Sequence, residues 1–328
     1  MNIVRVPFRV SLFGGGTDFS HFYTKKKATI VSFSIDRYCY ISVRKLLPYF
    51  NTNYRLTWSK IEDVSKIEDL THPSVKACLN YLEIKDPLEI HTVGDLPARS
   101  GLGSSSAFTA AFLAVLYMYK KKNFDNYKIT EETIYVEQNI LKESVGIQDQ
   151  IQVCHGGFNI TSIFPDSSYS ILSLDKSSKL VRQISDNLII LYSGIARTSS
   201  DIHINDSPLV SNEIKESSLL TINRIAEEFS ERLINHTATY EFFVNLLKET
   251  WAAKSSAFPK SDKTKFLMNI YDQAISSGAS CGKLLGAGGG GFFAFFVNPL
   301  NQKEFIKKMS KYICVKTDIS FKGIEEIL

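Results

Sequence analysis

A segment rich in glycine and serine, residues 97–107, carries the strongest chemical signal in the sequence, PARSGLGSSSA. Its glycines let the backbone approach a ligand closely, and backbone N–H groups at the start of a following helix form an anion site. The hydroxyl groups of Ser104, Ser105 and Ser106 can bond phosphate oxygens or a hard cation such as Mg²⁺. The segment therefore predicts a phosphate-binding turn, although it lacks the spacing and the lysine of a Walker A loop. The alternative is a set of serine caps on a core helix.

Two more glycine clusters lie near the ends of the chain. Residues 7–18 read PFRVSLFGGGTD, a strand that ends in three glycines followed by Thr17 and Asp18. Hydroxyl and carboxylate groups at a loop mouth suit the recognition of a polyol. Residues 283–291 read KLLGAGGGG, which holds more glycine than a hairpin turn requires. We expect this loop to lie against a ligand or another loop, and a permissive hairpin is the alternative.

The pattern of apolar residues places these motifs between strands and helices. Residues 29–46 suit two strands or one bent strand, and Thr130 is the expected N-cap of a helix at 130–141. The other predicted strands are 4–13, 88–93, 158–163, 169–174, 188–192, 283–285, 292–297 and from 314 onward. An apolar helix is predicted to begin within the glycine-serine segment and to run to about 119. The other predicted helices lie at 74–81, 146–153, 211–233, 240–248, 263–277 and 301–312.

This order of elements favours an α+β fold, with antiparallel sheets covered by helices. A polar, serine-rich stretch at 167–178 is the expected junction between two halves, residues 1–175 and 176–328. The length of 328 residues also suits two domains.

Composition narrows the class of protein. The sequence has 38 Lys and Arg residues and 34 Asp and Glu residues, which gives a net charge of +4. It has no long run of basic residues of the kind that would predict nucleic-acid binding. The five cysteines form no C-x-x-C pair, which favours reduced thiols and a cytoplasmic protein over a disulfide framework or zinc site. The most apolar stretch, 107–118, is shorter than the roughly 20 residues of a membrane span.

The three glycine motifs, in this order, resemble the signature motifs of the GHMP kinases, which include galactokinase, homoserine kinase and mevalonate kinase. The resemblance implies two halves, an N-terminal half with a fold like that of ribosomal protein S5 and a C-terminal half with a ferredoxin-like fold. It also implies that ATP, with Mg²⁺, binds between them. The run FGGGTD at 13–18 replaces the usual G-E-H, and so resembles the branch with heptose 7-phosphate kinases and the kinase part of fucokinases. Chain length favours the heptose phosphate substrate.

Carried over residue by residue, the resemblance implies roles for individual side chains. Asp149, in the run GIQDQ, is the expected base, and Arg9 is expected to stabilise the nucleophile or the transferred phosphoryl group. Ser105 and Glu137 are the expected Mg²⁺ ligands, and Glu143 falls outside the family spacing. The expected nucleotide-binding residues are Pro97, Ser100, Gly101, Leu102, Gly103, Ser104, Ser105 and Ser106. The expected sugar-binding residues are Gly15, Gly16, Thr17, Asp18, Arg197, Gly288, Gly289 and Gly290.

The expected reaction is transfer of a phosphoryl group from ATP to the anomeric O1 of D-glycero-α-D-manno-heptose 7-phosphate, for nucleotide-activated heptose and surface glycan synthesis. Arg197 is the candidate for the phosphate that the sugar already carries, because its planar fork binds two oxygens at once. A kinase for another sugar, such as fucose, is one alternative, and a non-catalytic sugar or nucleotide sensor is another. The partners expected are small molecules, without nucleic acid or membrane, and the protein is expected to be a monomer or homodimer.

Overall fold

The computed structural model describes residues 1–98, 100–195, 212–256, 258, 261–286 and 289–328. The strands in this part of the chain are β1 (Asn2–Phe13), β2 (Ala28–Lys45), β3 (Tyr54–Thr57), β4 (Ile61–Val64), β5 (Leu88–Gly94), β6 (Phe158–Ile163), β7 (Tyr169–Leu174), β8 (Leu188–Tyr192), β9 (Ala279–Leu284), β10 (Phe292–Val297), β11 (Ile313–Lys316) and β12 (Glu325–Glu326). The α-helices are α1 (Ser20–Tyr23), α2 (Pro73–Tyr81), α3 (Ser104–Tyr119), α4 (Asn126–Tyr135), α5 (Gln148–His155), α6 (Lys179–Asn187), α7 (Asn212–Ile234), α8 (Tyr240–Ser256), α9 (Asp262–Ser276) and α10 (Gln302–Lys308).

The first sheet is organised around β2, a single strand of 18 residues. It confirms the bent-strand alternative for residues 29–46. Its first part, 28–33, pairs with β6, and its second part, 39–45, pairs with β5. β1 runs antiparallel along the other edge of β2, with a register shift between Pro7 and Arg9. This irregularity lies next to Arg9, as bulges commonly do beside functional residues.

The second sheet has the order β11-β8-β10-β9, and its neighbouring strands are antiparallel. Helices α8, α9 and α10 cover it, and their apolar side chains join those of the strands in one cluster that includes Trp251, Leu267, Phe293, Phe295 and Phe305. Two sheets with helices on them confirm the α+β expectation.

Helix α3 lies in the core between the first sheet and α4 and α5. Its residues from Ala107 to Leu116 are almost all inaccessible, which explains why it is apolar on every side. Among the described residues, no helix combines the length and the apolar character that a membrane crossing requires.

The expected N-cap at Thr130 is wrong. Helix α4 begins at Asn126, and the side chain of Asp125 accepts a hydrogen bond from the Lys128 N–H. Thr130 lies one turn inside, where its hydroxyl donates to the Asn126 carbonyl. The expectations also missed α1, α6 and the short strands β3, β4 and β12. Helix α1 and these strands, of two to four residues each, are too short to show a clear period.

The end of the chain returns to the first sheet. β12 pairs antiparallel with β1, and Ile319 forms a bridge with Ile35. The terminal residues of the sequence therefore pack on the sheet that its first residues form.

Candidate active site

The three glycine motifs, far apart in sequence, meet in one place. The backbone N–H of Arg9 in β1 donates to the Leu102 carbonyl at 3.0 Å, and the N–H of Phe292 donates to the Ser100 carbonyl at 3.1 Å. A Cβ on Gly101 would collide with the Leu285 carbonyl oxygen. The loop at 97–103 is thus held between the other two motifs, and this contact explains why its glycine cannot carry a side chain.

Helix α3 begins at this loop. Its N-cap is Gly103, with φ of +71°, and no side-chain hydrogen bond from the described residues caps the helix. The backbone N–H groups and the dipole at a helix start attract an anion such as phosphate. Of the three serines there, Ser105 is exposed, Ser104 is half-buried and Ser106 is buried. Within the loop, Leu102 and Ser100 are buried, and Pro97 is exposed.

Arg9 and Asp149 form a bidentate ion pair beside this helix start. The Arg9 Nε donates to Asp149 Oδ1 at 2.7 Å, and Nη2 donates to Oδ2 at 2.6 Å. The remaining terminal nitrogen, Nη1, donates to the Gly101 carbonyl at 2.6 Å. The Arg9 side chain is 5% exposed and that of Asp149 is 26% exposed, so the carboxylate faces open space while the cation lies behind it. A Cβ on Gly103 would lie only 3.5 Å from Asp149 Oδ2, which places this pair next to the phosphate-binding turn.

Glu137 lies on the other side of the α3 N-terminus, in a turn of π-helix at Val136–Ile140 that follows α4. The Ser106 hydroxyl donates to Glu137 Oε2 at 3.0 Å, and the Gln150 side-chain amide donates to the same oxygen at 2.5 Å. The side chain is inaccessible to solvent. Burial, together with the nearby charge of Glu143, raises the pKa of Glu137 to about 8. The structure therefore joins Glu137 to Ser106, and leaves the predicted ligand Ser105 on the exposed side of the helix.

These residues suit a divalent cation. Glu137 Oε1 is buried and has no hydrogen-bond partner among the described residues. Burial disfavours the charged form of this carboxylate, and a hard cation bound at Oε1 would favour it. No group of three His, Cys, Asp or Glu side chains in the described part of the chain is arranged to hold a metal. Mg²⁺ in kinases is typically bound by one or two protein oxygens together with substrate phosphates, and Glu137 beside the phosphate-binding turn fits that arrangement.

Lys283 is a buried lysine near Arg9. It lies in β9, as the first residue of the third glycine motif, and its Nζ donates to the Leu12 carbonyl at 2.8 Å. Burial and the neighbouring Arg9 lower the pKa of Lys283 to about 7. Its ammonium group thus links β9 of the second sheet to the end of β1 in the first.

The predicted sugar-binding loop after β1 is turned partly inward. Gly15 and Gly16 are half-buried, whereas Thr17 is inaccessible and its hydroxyl donates to the Gly14 carbonyl at 2.7 Å. Asp18 is 2% exposed and accepts hydrogen bonds from the Gly16 N–H and from Gln148.

The third glycine motif faces the segment that follows β8. A Cβ on Gly290 would come within 2.8 Å of the Ile195 carbonyl oxygen, and the Gly291 N–H donates to that same oxygen at 2.9 Å. Gly289 lies beside them, half-buried. Two predicted sugar-binding residues, Arg197 and Gly288, fall outside the described residues.

Two residues that sequence reasoning left without a role flank Asp149. Gln150 binds Glu137, and Gln148 accepts a hydrogen bond from Ser11 at 2.8 Å while donating to Asp18. The only signal was their position: one amide on each side of a candidate base, in the run GIQDQ. Helix α5 therefore links Asp149 to Glu137 through Gln150 and to Asp18 through Gln148.

Comparison with known families agrees with this geometry. Residues 73–157, which include the phosphate-binding turn and Asp149, match the family model described as "GHMP kinases N terminal domain". D-glycero-alpha-D-manno-heptose 7-phosphate kinase of Campylobacter jejuni is 26% identical over 331 residues, covering 97% of this chain and 95% of that protein. The bifunctional fucokinase/GDP-fucose pyrophosphorylase of Arabidopsis thaliana is 27% identical over 211 residues, covering 62% of this chain and 19% of that protein.

Solved structures show the same fold. The crystal structure of a D-glycero-D-manno-heptose 1-phosphate kinase from Bacteroides thetaiotaomicron matches with a TM-score of 0.79 and 19% identity. The match covers 100% of this chain and 99% of that one. The arrangement of two sheets around the three glycine motifs is therefore an established fold.

Proposed function

We propose that this chain, which carries a GHMP kinase N-terminal domain in a GHMP kinase fold, is an ATP- and Mg²⁺-dependent sugar 1-kinase. The class of reaction is phosphotransfer to an alcohol group. The substrate we propose is D-glycero-α-D-manno-heptose 7-phosphate, phosphorylated on its anomeric O1 to the 1,7-bisphosphate. Full-length similarity to a kinase of that name supports this choice. We also propose that the enzyme is cytoplasmic, a monomer or homodimer, and serves surface glycan synthesis.

The observation that carries the proposal is the Arg9–Asp149 pair beside the N-terminus of α3. The helix N-terminus binds the nucleotide phosphates through backbone N–H groups. Asp149, the partly exposed member of the pair, accepts the proton of the sugar hydroxyl as that oxygen attacks the terminal phosphorus of ATP. Arg9 holds the carboxylate through two hydrogen bonds and places positive charge where the transferring phosphoryl group spreads its negative charge.

Glu137 and Ser106 complete the site on the far side of the phosphates. Their hydrogen bond fixes one carboxylate oxygen of Glu137 and leaves Oε1 for a cation. When bound, Mg²⁺ would neutralise phosphate charge and orient the terminal phosphoryl group.

A kinase for fucose or another free sugar is the second candidate. Two fucokinase relatives support it, over 62% of this chain, although the match covers only 19% and 22% of those longer proteins. A non-catalytic sensor is disfavoured, because a sensor needs no base, and Asp149 is held ready by Arg9. For the phosphorylated substrate we retain Arg197 as the candidate partner of the distal phosphate, since a phosphate left unpaired in a cleft would be costly.

The experiment that separates these functions is a panel of free and phosphorylated sugars, assayed for ADP release with ATP and Mg²⁺. We expect the highest kcat/KM with heptose 7-phosphate, and release slowed by about two to four orders of magnitude in the Asp149→Asn variant. A preference for a free sugar would remove the heptose phosphate assignment and keep the sugar-kinase class. The absence of release with every sugar would support the sensor instead.

A further inference from the structure

Asp18 stands at the start of α5, although it belongs to the loop after β1. Its backbone carbonyl accepts a hydrogen bond from the Ile147 N–H at 3.2 Å, and its Oδ2 accepts one from the Gln148 N–H at 3.3 Å. Its Oδ1 accepts from the Gln148 side-chain amide at 3.1 Å and from the Gly16 N–H at 2.9 Å. Both carboxylate oxygens are therefore already bonded to protein groups.

Helix α5 needs such a partner. Its N-cap residue, Ile147, has an apolar side chain and makes no capping hydrogen bond. The first N–H groups of a helix require an acceptor, which an aspartate normally provides from the N-cap position itself. Here the aspartate comes from another part of the chain, 130 residues away. Gly146 makes room for it, since a Cβ at that position would overlap Asp18 Oδ2.

Asp149 is the second residue of this helix, so whatever holds the first turn also aims the base. We propose that Asp18 is a positioning residue, which caps α5 and orients Asp149. This inference rests on the proposed function, in which Asp149 receives the proton of the sugar hydroxyl. It follows that the loop after β1 and the catalytic base form one unit, joined also by the Ser11–Gln148 hydrogen bond.

Burial and charge support this role. Asp18 is 2% exposed, which leaves a sugar hydroxyl no access to its oxygens in this arrangement. Burial, together with the charge of Asp149, raises the pKa of Asp18 to about 6. Two carboxylates placed close together repel each other. The hydrogen bonds that Asp18 accepts offset this electrostatic cost.

Kinetics of Asp18→Ala and Asp18→Asn, with saturating ATP and varied heptose 7-phosphate, test the proposal. We expect kcat of Asp18→Ala to fall by about 10- to 100-fold, the scale of a misplaced catalytic group, with KM for the sugar changed by less than about threefold. Asp18→Asn keeps an acceptor oxygen and should recover part of kcat. Asp125→Ala is the matched control, because it removes an aspartate cap from α4, and its kcat should equal that of the parent. A rise in KM that exceeds the fall in kcat would make Asp18 a sugar ligand and overturn the proposal.

Hydrogen exchange provides a readout that does not depend on the substrate. The Gln148 amide, whose acceptor is the Asp18 carboxylate, should exchange faster in Asp18→Ala than in the parent, with Asp18→Asn between them because it keeps one acceptor oxygen. The amides at the start of α4 should not change. Equal protection in parent and variants would contradict the cap. If no sugar is phosphorylated by the parent, the proposed function fails, and this exchange comparison still decides whether Asp18 holds the first turn of α5. Should Asp18→Ala not fold, Asp18→Asn carries both measurements.

Discussion

The two carboxylate oxygens of Asp149 each accept a hydrogen bond from a different nitrogen of Arg9, at 2.7 and 2.6 Å. Fork-to-fork pairing of this kind fixes both the distance and the plane of the carboxylate. Because Arg9 also donates to the Gly101 carbonyl, the same side chain aligns Asp149, the proposed base, with the loop that we propose binds phosphate. The account of catalysis therefore depends on the pair as a unit.

Asp149→Asn should lower kcat by about two to four orders of magnitude, the range for a lost general base. The side chain keeps its size and one acceptor oxygen, so ATP should bind as before. Steady-state kinetics with saturating sugar, together with a nucleotide titration, measure the two effects separately. An unchanged kcat would remove Asp149 from the mechanism.

Arg9→Lys should lower kcat substantially although it preserves the charge, because an ammonium group cannot form the paired hydrogen bonds of a guanidinium. We expect a loss of about 100-fold, comparable to the removal of one donor to a transition state. Residues that act as a unit are not additive, so Arg9→Lys combined with Asp149→Asn should be little worse than the more damaging single variant. Full additivity of the two losses would show that the residues act independently.

Ser106→Ala and Glu137→Gln should both raise the Mg²⁺ concentration that gives half-maximal activity. The first removes the hydroxyl that fixes the Glu137 carboxylate, and the second removes its charge. Calorimetric titration of Mg²⁺ into the protein with ADP checks the same effect without turnover. Ser105→Ala provides the comparison. A larger rise in the required Mg²⁺ concentration for Ser105→Ala than for Ser106→Ala would make Ser105, the serine expected from the sequence, the Mg²⁺ ligand.

Lys283→Met should change how the stability of the unliganded protein depends on pH. The pKa of Lys283 falls from 10.5 to about 7 on folding, so the unfolded chain binds one more proton than the native protein between those values. Its contribution to the free energy of unfolding is therefore largest above 10.5 and is lost as the pH falls toward 7. Denaturant unfolding at several pH values between 7 and 10 should show stability rising more steeply with pH in the parent than in Lys283→Met. Parallel curves would mean that Lys283 remains charged in the folded protein.

The glycine motifs and Asp149 could be predicted from the sequence because each is a local pattern with a chemical meaning of its own. The spacing of strand, glycines and apolar helix was enough to place residues 97–107 at a helix N-terminus, as the structure has them. The same local pattern does not show which serine contacts Glu137. Three consecutive serines share a helix turn, and which of them faces Glu137 depends on the rotation of α3 in the core and on the π-helical turn that carries Glu137.

Contacts between distant segments could not be read from the sequence at all. The place of Asp18 in a loop predicts sugar binding, and the hydrogen bonds that it accepts from Gln148, 130 residues away, follow only from the fold. The burial of Lys283 against Leu12 likewise depends on how the two sheets pack. Such relationships follow from the tertiary fold, which no local period encodes.

Identification of the product tests the central claim most directly. The protein is incubated with ATP, Mg²⁺ and heptose 7-phosphate, and the mixture is followed by ³¹P nuclear magnetic resonance. We predict a new phosphate signal coupled to the anomeric proton, at the same rate as ADP appears, with the original 7-phosphate signal retained and no new signal with Asp149→Asn. A phosphate coupled to any other carbon of the sugar, or ATP consumption without sugar phosphorylation, would contradict the account.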